Sequence, residues 1–484
     1  MLRTIGPWLL ASAVAATAAG QDQPFDLVIH GGRVMDPESG TDSVRDIGIA
    51  GGKIVRIAPG DLKGRRVLDA KGLVVAPGFI DLHQHGQDAE NDRAKVQDGV
   101  TTALELEIGP PDVAAFLRAR AGRALLNYGT SASHPWARVH AWGGALPAAG
   151  SGSDVLPSAG PATDEDASPE RIRAVQDRLR GELLAGGLGV GLGINYTPGA
   201  SRLEIIETFR VAAERGVPLW PHMRAAGYGF SIESVAEVIA AAAVTGAPVH
   251  IVHINSMGLG QVFECLKLIE GARARGLDVT VEAYPYGWGQ TMLGSAFFNP
   301  GWRERMHLDY SDLRLVQTGE TLTALSFERL RSTKGPVAVL VRGNPDERVD
   351  AVMRHPLVMV ASDGYLSGGK GHPRTAGTFS RILARYVREL RTVTLMDALR
   401  KMSLMPAQRL EAATPAARNK GRIREGADAD VVVFDPDRVS DHATYDEPAL
   451  PSTGFRYVLV GGVAVVDDSR LVDGVQPGRP LTGR

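Results

Sequence analysis

Gly78-Phe-Ile-Asp-Leu-His-Gln-His85 is an apolar stretch that ends in two histidines separated by one residue. On a β-strand, residues i and i+2 share a face, so the imidazoles of His83 and His85 are expected to point in the same direction. Two neutral imidazoles placed side by side suit zinc or a similar divalent metal. Because a bare His-x-His pair is a weak signal, its meaning depends on what the rest of the chain places around it.

Apolar stretches of the same kind recur along the chain and alternate with amphipathic segments such as residues 201–215 and 231–245. This alternation is typical of βα units with a parallel sheet. Eight strands with helices between them favour a (β/α)8 TIM-type barrel over residues 77–420. The eight candidate strands are residues 78–85, 101–108, 124–134, 188–195, 217–222, 248–253, 279–284 and 357–363.

Two kinds of region depart from the alternation of strands and helices. Both ends of the chain contain short β-rich segments with glycine turns, which predict one small β-sandwich domain built from residues 21–76 and 421–484. Within the barrel pattern, residues 287–337 form a long connection, and loops of this length are typically functional lids or mobile segments.

The first twenty residues indicate an exported protein. Residues 1–20 predict a cleaved signal peptide, because Arg3 precedes a short apolar stretch and Ala16-Thr-Ala18 offers a small-x-small cleavage site. We therefore expect a secreted or periplasmic protein with no stable membrane span after signal cleavage. The single cysteine excludes intramolecular disulfides, and 53 basic residues nearly balance 55 acidic ones, which gives no indication of a nucleic-acid partner.

Polar residues gather at the C-terminal ends of the predicted strands, which is the face that carries the active site in (β/α)8 enzymes. His222 and His253 end consecutive strands, and we predict that they bind metal together with the first histidine pair. Asp363 closes the eighth strand, where a carboxylate can both ligate a metal and accept a proton from water. The strand-end polar residues are His83, His85, Glu107, His134, Asn195, His222, His253 and Asp363.

Longer motifs surround these residues and follow one another in order along nearly the whole chain after residue 20. They are Ala76-Pro-Gly-Phe-Ile-Asp-Leu-His-Gln-His85, Asp98-Gly-Val-Thr-Thr102, Gly191-Leu-Gly-Ile-Asn-Tyr-Thr-Pro-Gly-Ala200, His222-Met-Arg224, Tyr284-Pro-Tyr286, Ser362-Asp-Gly364, His372-Pro-Arg-Thr-Ala-Gly-Thr-Phe379 and Ala427-Asp-Ala-Asp-Val-Val-Val-Phe-Asp-Pro436. With them the chain resembles the amidohydrolase superfamily and, more narrowly, its N-acyl-D-amino-acid deacylase branch. His-x-His is common to the superfamily, whereas His-Pro-Arg followed by Gly-Thr-Phe points to this branch.

The resemblance implies metal-dependent hydrolysis of a C–N amide bond, most directly the deacylation of N-acyl-D-amino acids. One or two zinc ions would activate water and Asp363 would act as general base and acid, with Mn²⁺ as a compatible alternative metal. The substrate would be a small molecule with a carboxylate, for which Arg374 is the predicted clamp because a guanidinium can bind a carboxylate through two hydrogen bonds. Further candidates for contacting the substrate are Tyr196, Arg224, His134, Lys370 and Tyr284.

One departure from the family pattern concerns the ligand that bridges two metal ions. Many superfamily members use a carboxylated lysine at the fourth strand, and the D-aminoacylase branch often uses a cysteine at the end of the second. Here the fourth strand ends Gly193-Ile-Asn195, and the second reads Ala103-Leu-Glu-Leu-Glu-Ile-Gly109. Glu105 and Glu107 share the inward face and Glu107 is nearer the mouth of the barrel, so we predict Glu107 as the bridging ligand and Glu105 as the alternative.

Other functions stay open on the sequence alone. A cyclic-amide hydrolase of the dihydropyrimidinase or imidase kind, or a dipeptidase, would fit the same superfamily. A non-catalytic metal-binding scaffold is a more remote alternative, and absence of bound metal in the purified protein would favour it. The acyl group, side chain and chirality of the substrate are undetermined, and a homo-oligomer is compatible with the sequence.

Overall fold

The fold is described from a computed structural model, which covers residues 24–147, 156–227, 229–333 and 335–484. The predicted signal peptide of residues 1–20 lies outside the described residues, so it stays a prediction. Within those ranges, no helix is long and apolar enough to cross a membrane.

The strands fall into a group shared by both ends of the chain and a group in its middle. In chain order they are β1 (Phe25–Asp36), β2 (Thr41–Ala50), β3 (Lys53–Ala58), β4 (Gly64–Asp69), β5 (Val74–Pro77), β6 (Phe79–Asp81), β7 (Val100–Glu105), β8 (Asn127–Thr130), β9 (Ala132–Ser133), β10 (Val190–Gly193), β11 (Leu219–His222), β12 (Val249–Ile251), β13 (Val279–Ala283), β14 (Trp288–Met292), β15 (Leu313–Leu315), β16 (Ala338–Arg342), β17 (Val358–Val360), β18 (Leu366–Ser367), β19 (Lys370–Gly371), β20 (Val431–Phe434), β21 (Phe455–Val460), β22 (Val463–Asp467) and β23 (Arg470–Leu471).

The helices alternate with the strands of the middle group. They are α1 (Ala89–Gln97), α2 (Val113–Arg120), α3 (His134–Ala141), α4 (Pro161–Asp164), α5 (Pro169–Leu184), α6 (Arg202–Arg215), α7 (Ser231–Thr245), α8 (Ile254–Gly258), α9 (Val262–Ala274), α10 (Trp302–Met306), α11 (Ala324–Arg331), α12 (Asp346–Arg354), α13 (Arg374–Arg381), α14 (Leu395–Leu399) and α15 (Met405–Leu410). Helix α6 begins where the sequence predicts it, because the Ser201 side chain accepts a hydrogen bond from the Glu204 amide and caps the first turn.

All eight strands predicted for the middle of the chain are present and pair in parallel. Strands β6, β7 and β8 form one run, and β9 to β13 followed by β17 form another. Strands β8 and β9 are separated only by Ser131, and a parallel bridge between Gln84 and Gly364 connects the end of β17 with the end of β6. The strands that carry the predicted site residues therefore lie in two parallel runs, which this bridge connects at one point.

Strands from the two chain ends pair directly with each other. Strand β5 pairs with β20, and the described strands β1 to β5 and β20 to β23 form a single nine-stranded sheet rather than two separate sheets. Its buried side chains, among them Ile29, Ile47 and Val433, form a hydrophobic core of their own. The predicted domain boundaries stay a prediction, but the pairing of residues 74–77 with residues 431–434 joins the two ends.

The long connection over residues 287–337 has a regular structure that the sequence pattern does not reveal. Strands β14, β16 and β15 pair as an antiparallel sheet, and aromatic side chains such as Phe297, Phe298 and Trp302 pack beneath it. The expected lid or mobile segment is therefore largely a small folded insertion, because partners distant in sequence supply its β pairing and its core.

Candidate metal centre

Six of the predicted site residues meet at the C-terminal ends of five parallel strands. They are buried or nearly so, and His85 keeps the largest exposed side-chain fraction, 17%. His83 and His85 follow β6, Glu107 follows β7, His222 ends β11, His253 follows β12 and Asp363 follows β17.

Glu107 lies between two pairs of histidines and turns one carboxylate oxygen toward each pair. Its Oε1 atom is 2.6 Å from His222 Nδ1 and 2.7 Å from His253 Nε2. Its Oε2 atom is 3.2 Å from His85 Nε2 and 3.3 Å from His83 Nε2. This is the position that a carboxylate bridging two metal ions would need.

Gly191 in β10 makes this placement of Glu107 sterically feasible. A Cβ atom on residue 191 would lie 2.7 Å from the Glu107 carbonyl oxygen and 2.8 Å from that of Ile108. Both distances are shorter than van der Waals contact, so only glycine allows the chain after β7 to approach β10 so closely.

Asp363 contacts the first histidine pair, His83 and His85, with one oxygen and the Arg374 guanidinium with the other. Its Oδ1 atom is 3.1 Å from His85 Nε2, and its Oδ2 atom is 2.9 Å from Arg374 Nη1. The backbone of Asp363 has φ of 52°, and that of His253 has φ of 30°. Non-glycine residues avoid this left-handed region at a cost of about 1–3 kcal/mol, and such strain clusters at functional sites.

Each histidine of the first pair is oriented by a carboxylate behind it. His83 Nδ1 donates to Glu282 Oε1 at 2.7 Å, and His85 Nδ1 donates to Glu105 Oε2 at 2.7 Å. Glu105 also accepts a hydrogen bond from the Ile108 amide at 3.0 Å. The structure thus places Glu105, the alternative bridging ligand, behind His85 and not between the two histidine pairs.

The donor atoms at the centre need a cation to hold them together. Because their Nδ1 atoms donate protons outward, the Nε2 atoms of His83 and His85 direct lone pairs inward when the rings are neutral, as metal ligation requires. These two atoms are 3.2 Å apart and both face Glu107 Oε2. Ligand atoms within 4.8 Å of one another form three groups that could hold a metal ion: His83, His85 and Glu107; His83, His253 and Asp363; and Glu107, His222 and His253. Imidazole nitrogens with carboxylate oxygens are a donor set that zinc accepts.

The pKa shifts of His83 and Glu107 also show that the centre favours positive charge. Burial disfavours charge on the His83 imidazole, but the Asp363 and Glu107 carboxylates outweigh it and raise the pKa of His83 well above its usual value. Burial alone would raise the pKa of Glu107, yet the surrounding imidazoles hold it well below its usual range. The centre therefore keeps its carboxylates ionised and attracts a cation.

The centre forms the floor of a cavity of about 950 Å³, open mouth included. The ring centroids of Tyr196 and His222 are 4.8 Å apart, and the Tyr196 hydroxyl group is 3.1 Å from Thr291 Oγ1. The Arg374 guanidinium lies 4.4 Å from the centroid of the Tyr284 ring. Apolar side chains also line the cavity, including those of Leu156, Met257, Leu259, Met292, Phe297, Met306, Leu308 and Val341.

Three predicted substrate contacts lie elsewhere. The third strand ends at Ser133, and His134 is the first residue of α3. Its Nε2 atom lies 2.9 Å from Glu204 Oε1 and not in the cavity. Arg224 forms an ion pair with Glu237 at 2.7 Å, and Lys370 is exposed in the β18–β19 hairpin. None of these three is among the described residues that line the cavity.

Two buried groups that support the centre were not identified in the sequence. Glu282 is the next-to-last residue of β13, and Asp81 at the end of β6 accepts hydrogen bonds from the Ser362 amide and hydroxyl at 2.9 and 2.5 Å. These hydrogen bonds tie β6 to the segment that carries Asp363, and Asp81 also pairs with the buried Lys95 of α1 at 2.8 Å. The signal was a carboxylate inside an apolar strand, since a buried acid is rare unless it has a partner.

Comparisons with known proteins agree with this geometry. Residues 162–466 match the amidohydrolase family. The chain is 33% identical to N-acyl-D-glutamate deacylase of Alcaligenes xylosoxydans xylosoxydans over 92% of its own length and 94% of that protein. It is 30% identical to D-aminoacylase of the same organism over 95% of its own length and 98% of that protein.

A solved structure gives the same assignment. It is N-acyl-D-glutamate deacylase from Bordetella bronchiseptica, complexed with zinc and a phosphonate that mimics the tetrahedral intermediate of the reaction. It matches with a TM-score of 0.79 at 28% identity and covers 95% of this chain and 100% of its own. The chain therefore belongs to the amidohydrolase family, in the branch that contains the D-aminoacylases.

Proposed function

We propose that this amidohydrolase removes the acyl group from N-acyl-D-amino acids. The observation that carries the proposal is the position of Glu107 between two histidine pairs, with Asp363 beside it on the floor of a cavity. The relatives named N-acyl-D-glutamate deacylase and D-aminoacylase support the substrate class. We further propose that the eight parallel strands close as a (β/α)8 barrel and that the signal peptide directs export.

The metal-binding residues divide into two positions that share Glu107. We assign His83, His85 and Asp363 to the first position, and His222 and His253 to the second. Zinc is the proposed metal because the solved relative is complexed with it, and the carboxylates also suit manganese. When bound, the metal polarises the scissile carbonyl and lowers the pKa of water.

Asp363 is placed to move the proton during hydrolysis. A proton must leave the attacking water and reach the departing amine, and a carboxylate at the cavity floor can accept it and then donate it. Burial would raise the pKa of Asp363, but the adjacent Arg374 and His83 hold it well below its usual range, so the carboxylate is ionised at neutral pH and has a free oxygen lone pair for a proton. We therefore assign Asp363 as general base and then general acid.

Arg374 is the proposed partner of the substrate carboxylate. In an N-acyl amino acid the carboxylate carbon is two bonds from the scissile nitrogen. Asp363 is the group assigned to protonate this nitrogen. A guanidinium beside Asp363 is therefore within reach of the substrate carboxylate. Arg374 lines the cavity and lies 2.9 Å from Asp363 Oδ2, which meets this requirement.

Replacing Arg374 with alanine should distinguish its contact with Asp363 from its proposed contact with the substrate carboxylate. We expect kcat to fall for every substrate because Asp363 loses its partner. KM should rise about 10–100-fold only for acyl-amino acids, since each tenfold step corresponds to 1.36 kcal/mol of lost binding. Steady-state kinetics with an acyl-amino acid and its carboxamide would measure this difference. An equal change in KM for both would contradict the clamp.

A panel of substrates tests the proposed function. Enzyme reconstituted with zinc should hydrolyse N-acyl-D-amino acids faster than N-acyl-L-amino acids, dipeptides and cyclic amides, and enzyme treated with a chelator should be inactive on all of them. Faster hydrolysis of the cyclic amides would favour the dihydropyrimidinase alternative. Turnover that survives complete metal removal would contradict the proposal.

A further inference from the structure

One part of the cavity above the metal centre is lined by apolar side chains that pack against one another. They belong to the hydrophobic cluster that contains the core of the small insertion formed by β14 to β16. Their packing gives this part of the cavity a fixed shape before any ligand binds. We call it the apolar end, and its residues are Leu156, Tyr196, Phe297, Met306, Leu308 and Val341.

The apolar end lies beside the second histidine pair and away from Arg374. The Tyr196 ring packs on the His222 ring, with 4.8 Å between centroids, and the Phe297 ring lies 6.4 Å from that of Tyr196. Arg374 is paired with the carboxylate that follows β17, and β17 is separated from β11, which ends in His222, by β12 and β13. The apolar end and Arg374 therefore lie on opposite sides of the Glu107 carboxylate.

The order of atoms in an N-acyl amino acid matches this arrangement. From the carboxylate, the atoms run through the α-carbon and the amide nitrogen to the acyl carbonyl and then into the acyl group. With the carboxylate at Arg374 and the nitrogen at Asp363, the carbonyl lies over the centre and the acyl group extends toward Tyr196. The amino-acid side chain branches off at the α-carbon, on the Arg374 side of the scissile bond. The apolar end is thus placed for the acyl group.

The charges around the cavity also favour an apolar acyl group. Outside the metal centre and Arg374, the only charged side chain among the described residues that line the cavity is Arg342. Because Arg342 follows Val341 in β16, the two side chains point to opposite faces of the strand. The Arg342 guanidinium lies 5.2 Å from the centroid of the Trp288 ring instead. Each methylene of an acyl chain buried at the apolar end should strengthen binding about fourfold.

The far wall of the apolar end is one layer of side chains thick. Ala226, Phe297 and Met306 line the cavity and also line an outer groove between α6 and α7. This groove has a volume of about 2090 Å³, its open side included. Of the two large side chains in the wall, Phe297 is buried and Met306 is half-buried. The length of acyl chain that fits is therefore set by these two residues.

We infer that the apolar end binds the acyl group, so that the enzyme prefers N-acyl-D-amino acids whose acyl chain is apolar and longer than acetyl, with Phe297 and Met306 limiting its length. The inference rests on the proposed function and adds the acyl group to it. The two fail in different ways. Without the proposed function, no N-acyl-D-amino acid is cleaved, whereas without the inference such compounds are cleaved and acetyl is the preferred acyl group.

A series of N-acyl-D-alanines tests the acyl preference of the enzyme reconstituted with zinc. We expect kcat/KM for the butanoyl compound to exceed that for the acetyl compound at least about tenfold, because two more methylenes are buried. N-Acetyl-D-norvaline is the matched control, since it is an isomer of N-butanoyl-D-alanine with the two methylenes in the side chain, and it should gain less. An equal or larger gain for norvaline, or acetyl as the best acyl group, overturns the inference. No cleavage of any compound overturns the proposed function as well.

Variants of the wall test the limit on chain length. Phe297→Ala opens the cavity toward the outer groove, so the ratio of kcat/KM for decanoyl-D-alanine to that for butanoyl-D-alanine should rise at least about tenfold. Phe298→Ala is the control, because Phe298 packs against Phe297 in the same cluster, with 4.8 Å between ring centroids, but is not among the described residues that line the cavity. Its ratio should equal that of the wild type. An unchanged ratio in Phe297→Ala, or an equal rise in the control, overturns the role of Phe297.

Met306→Lys tests the same wall without emptying the core, because Met306 is only half-buried. An ammonium group at the apolar end opposes burial of an apolar chain. The ratio of kcat/KM for hexanoyl-D-alanine to that for acetyl-D-alanine should therefore fall about tenfold. Since both rates come from the same protein sample, partial unfolding or partial metal loading cancels in this ratio. A ratio equal to that of the wild type overturns the placement of the acyl group.

Discussion

Replacing Glu107 with glutamine is expected to lower kcat/KM about a thousandfold, a loss of ~4 kcal/mol of transition-state stabilisation. The substitution keeps the size of the side chain but turns one of the two oxygens into an NH2 group, which cannot ligate a metal. Because Glu107 presents Oε1 to His222 and His253 and Oε2 to His83 and His85, one metal position loses its shared ligand whichever way the amide turns. Metal analysis of the purified variant should show less zinc than in the wild type.

Glu105→Gln provides the comparison for this variant. A glutamine at residue 105 can still accept the hydrogen bond from His85 Nδ1 through its carbonyl oxygen, which keeps the ring oriented. Its NH2 group then replaces the oxygen that accepts the Ile108 and Gly109 amide hydrogens, so the carboxylate charge and these two hydrogen bonds are lost. We expect metal affinity to fall about 10–100-fold, as for other outer carboxylates, without loss of a metal position at saturating zinc. If Glu105→Gln strips the metal while Glu107→Gln retains it, the assignment of the bridging ligand is wrong.

The strands in the middle of the chain could be predicted because their signal is local. A short apolar stretch that ends in a polar residue gives both the strand and the position of its C-terminal end, and this places His83, His222 and Asp363 on one face before any pairing is known. The small sheet in residues 288–342 could not be predicted in this way. Its strands β14 and β16 pair across about 50 residues, and alternation within each strand says nothing about such a distant partner.

The roles of individual polar residues at strand ends were harder to read than their positions. His134 occurs at a strand end like the other histidines, but Ser133 caps a helix there and the imidazole contacts Glu204 instead of the cavity. Glu282 shows the opposite case, because it lies inside an apolar strand and its two histidine partners come from β12 and the end of β6. A sequence pattern gives the face on which a residue lies, whereas its partner depends on packing between distant segments.

Replacing Asp363 with asparagine is expected to reduce kcat about 10²–10⁴-fold, the range that general acid–base catalysis contributes. Asparagine preserves the volume and one oxygen toward His85, but it cannot accept a proton from water and pass it to the amine. If Asp363 serves mainly as a proton carrier, the variant should still bind zinc at the position formed by Glu107, His222 and His253.

The leaving group distinguishes a proton carrier from a simple ligand at residue 363. An acylated amino acid releases a basic amine that must be protonated as it departs, whereas an activated ester or a nitroanilide releases a group that needs less protonation. We therefore expect the Asp363→Asn variant to lose much more activity on the acylated amino acid than on the activated substrate. Burst-free steady-state rates at matched zinc occupancy would measure the ratio. Equal losses on both substrates would mean that Asp363 acts by holding metal, and that the proton reaches the amine by another route.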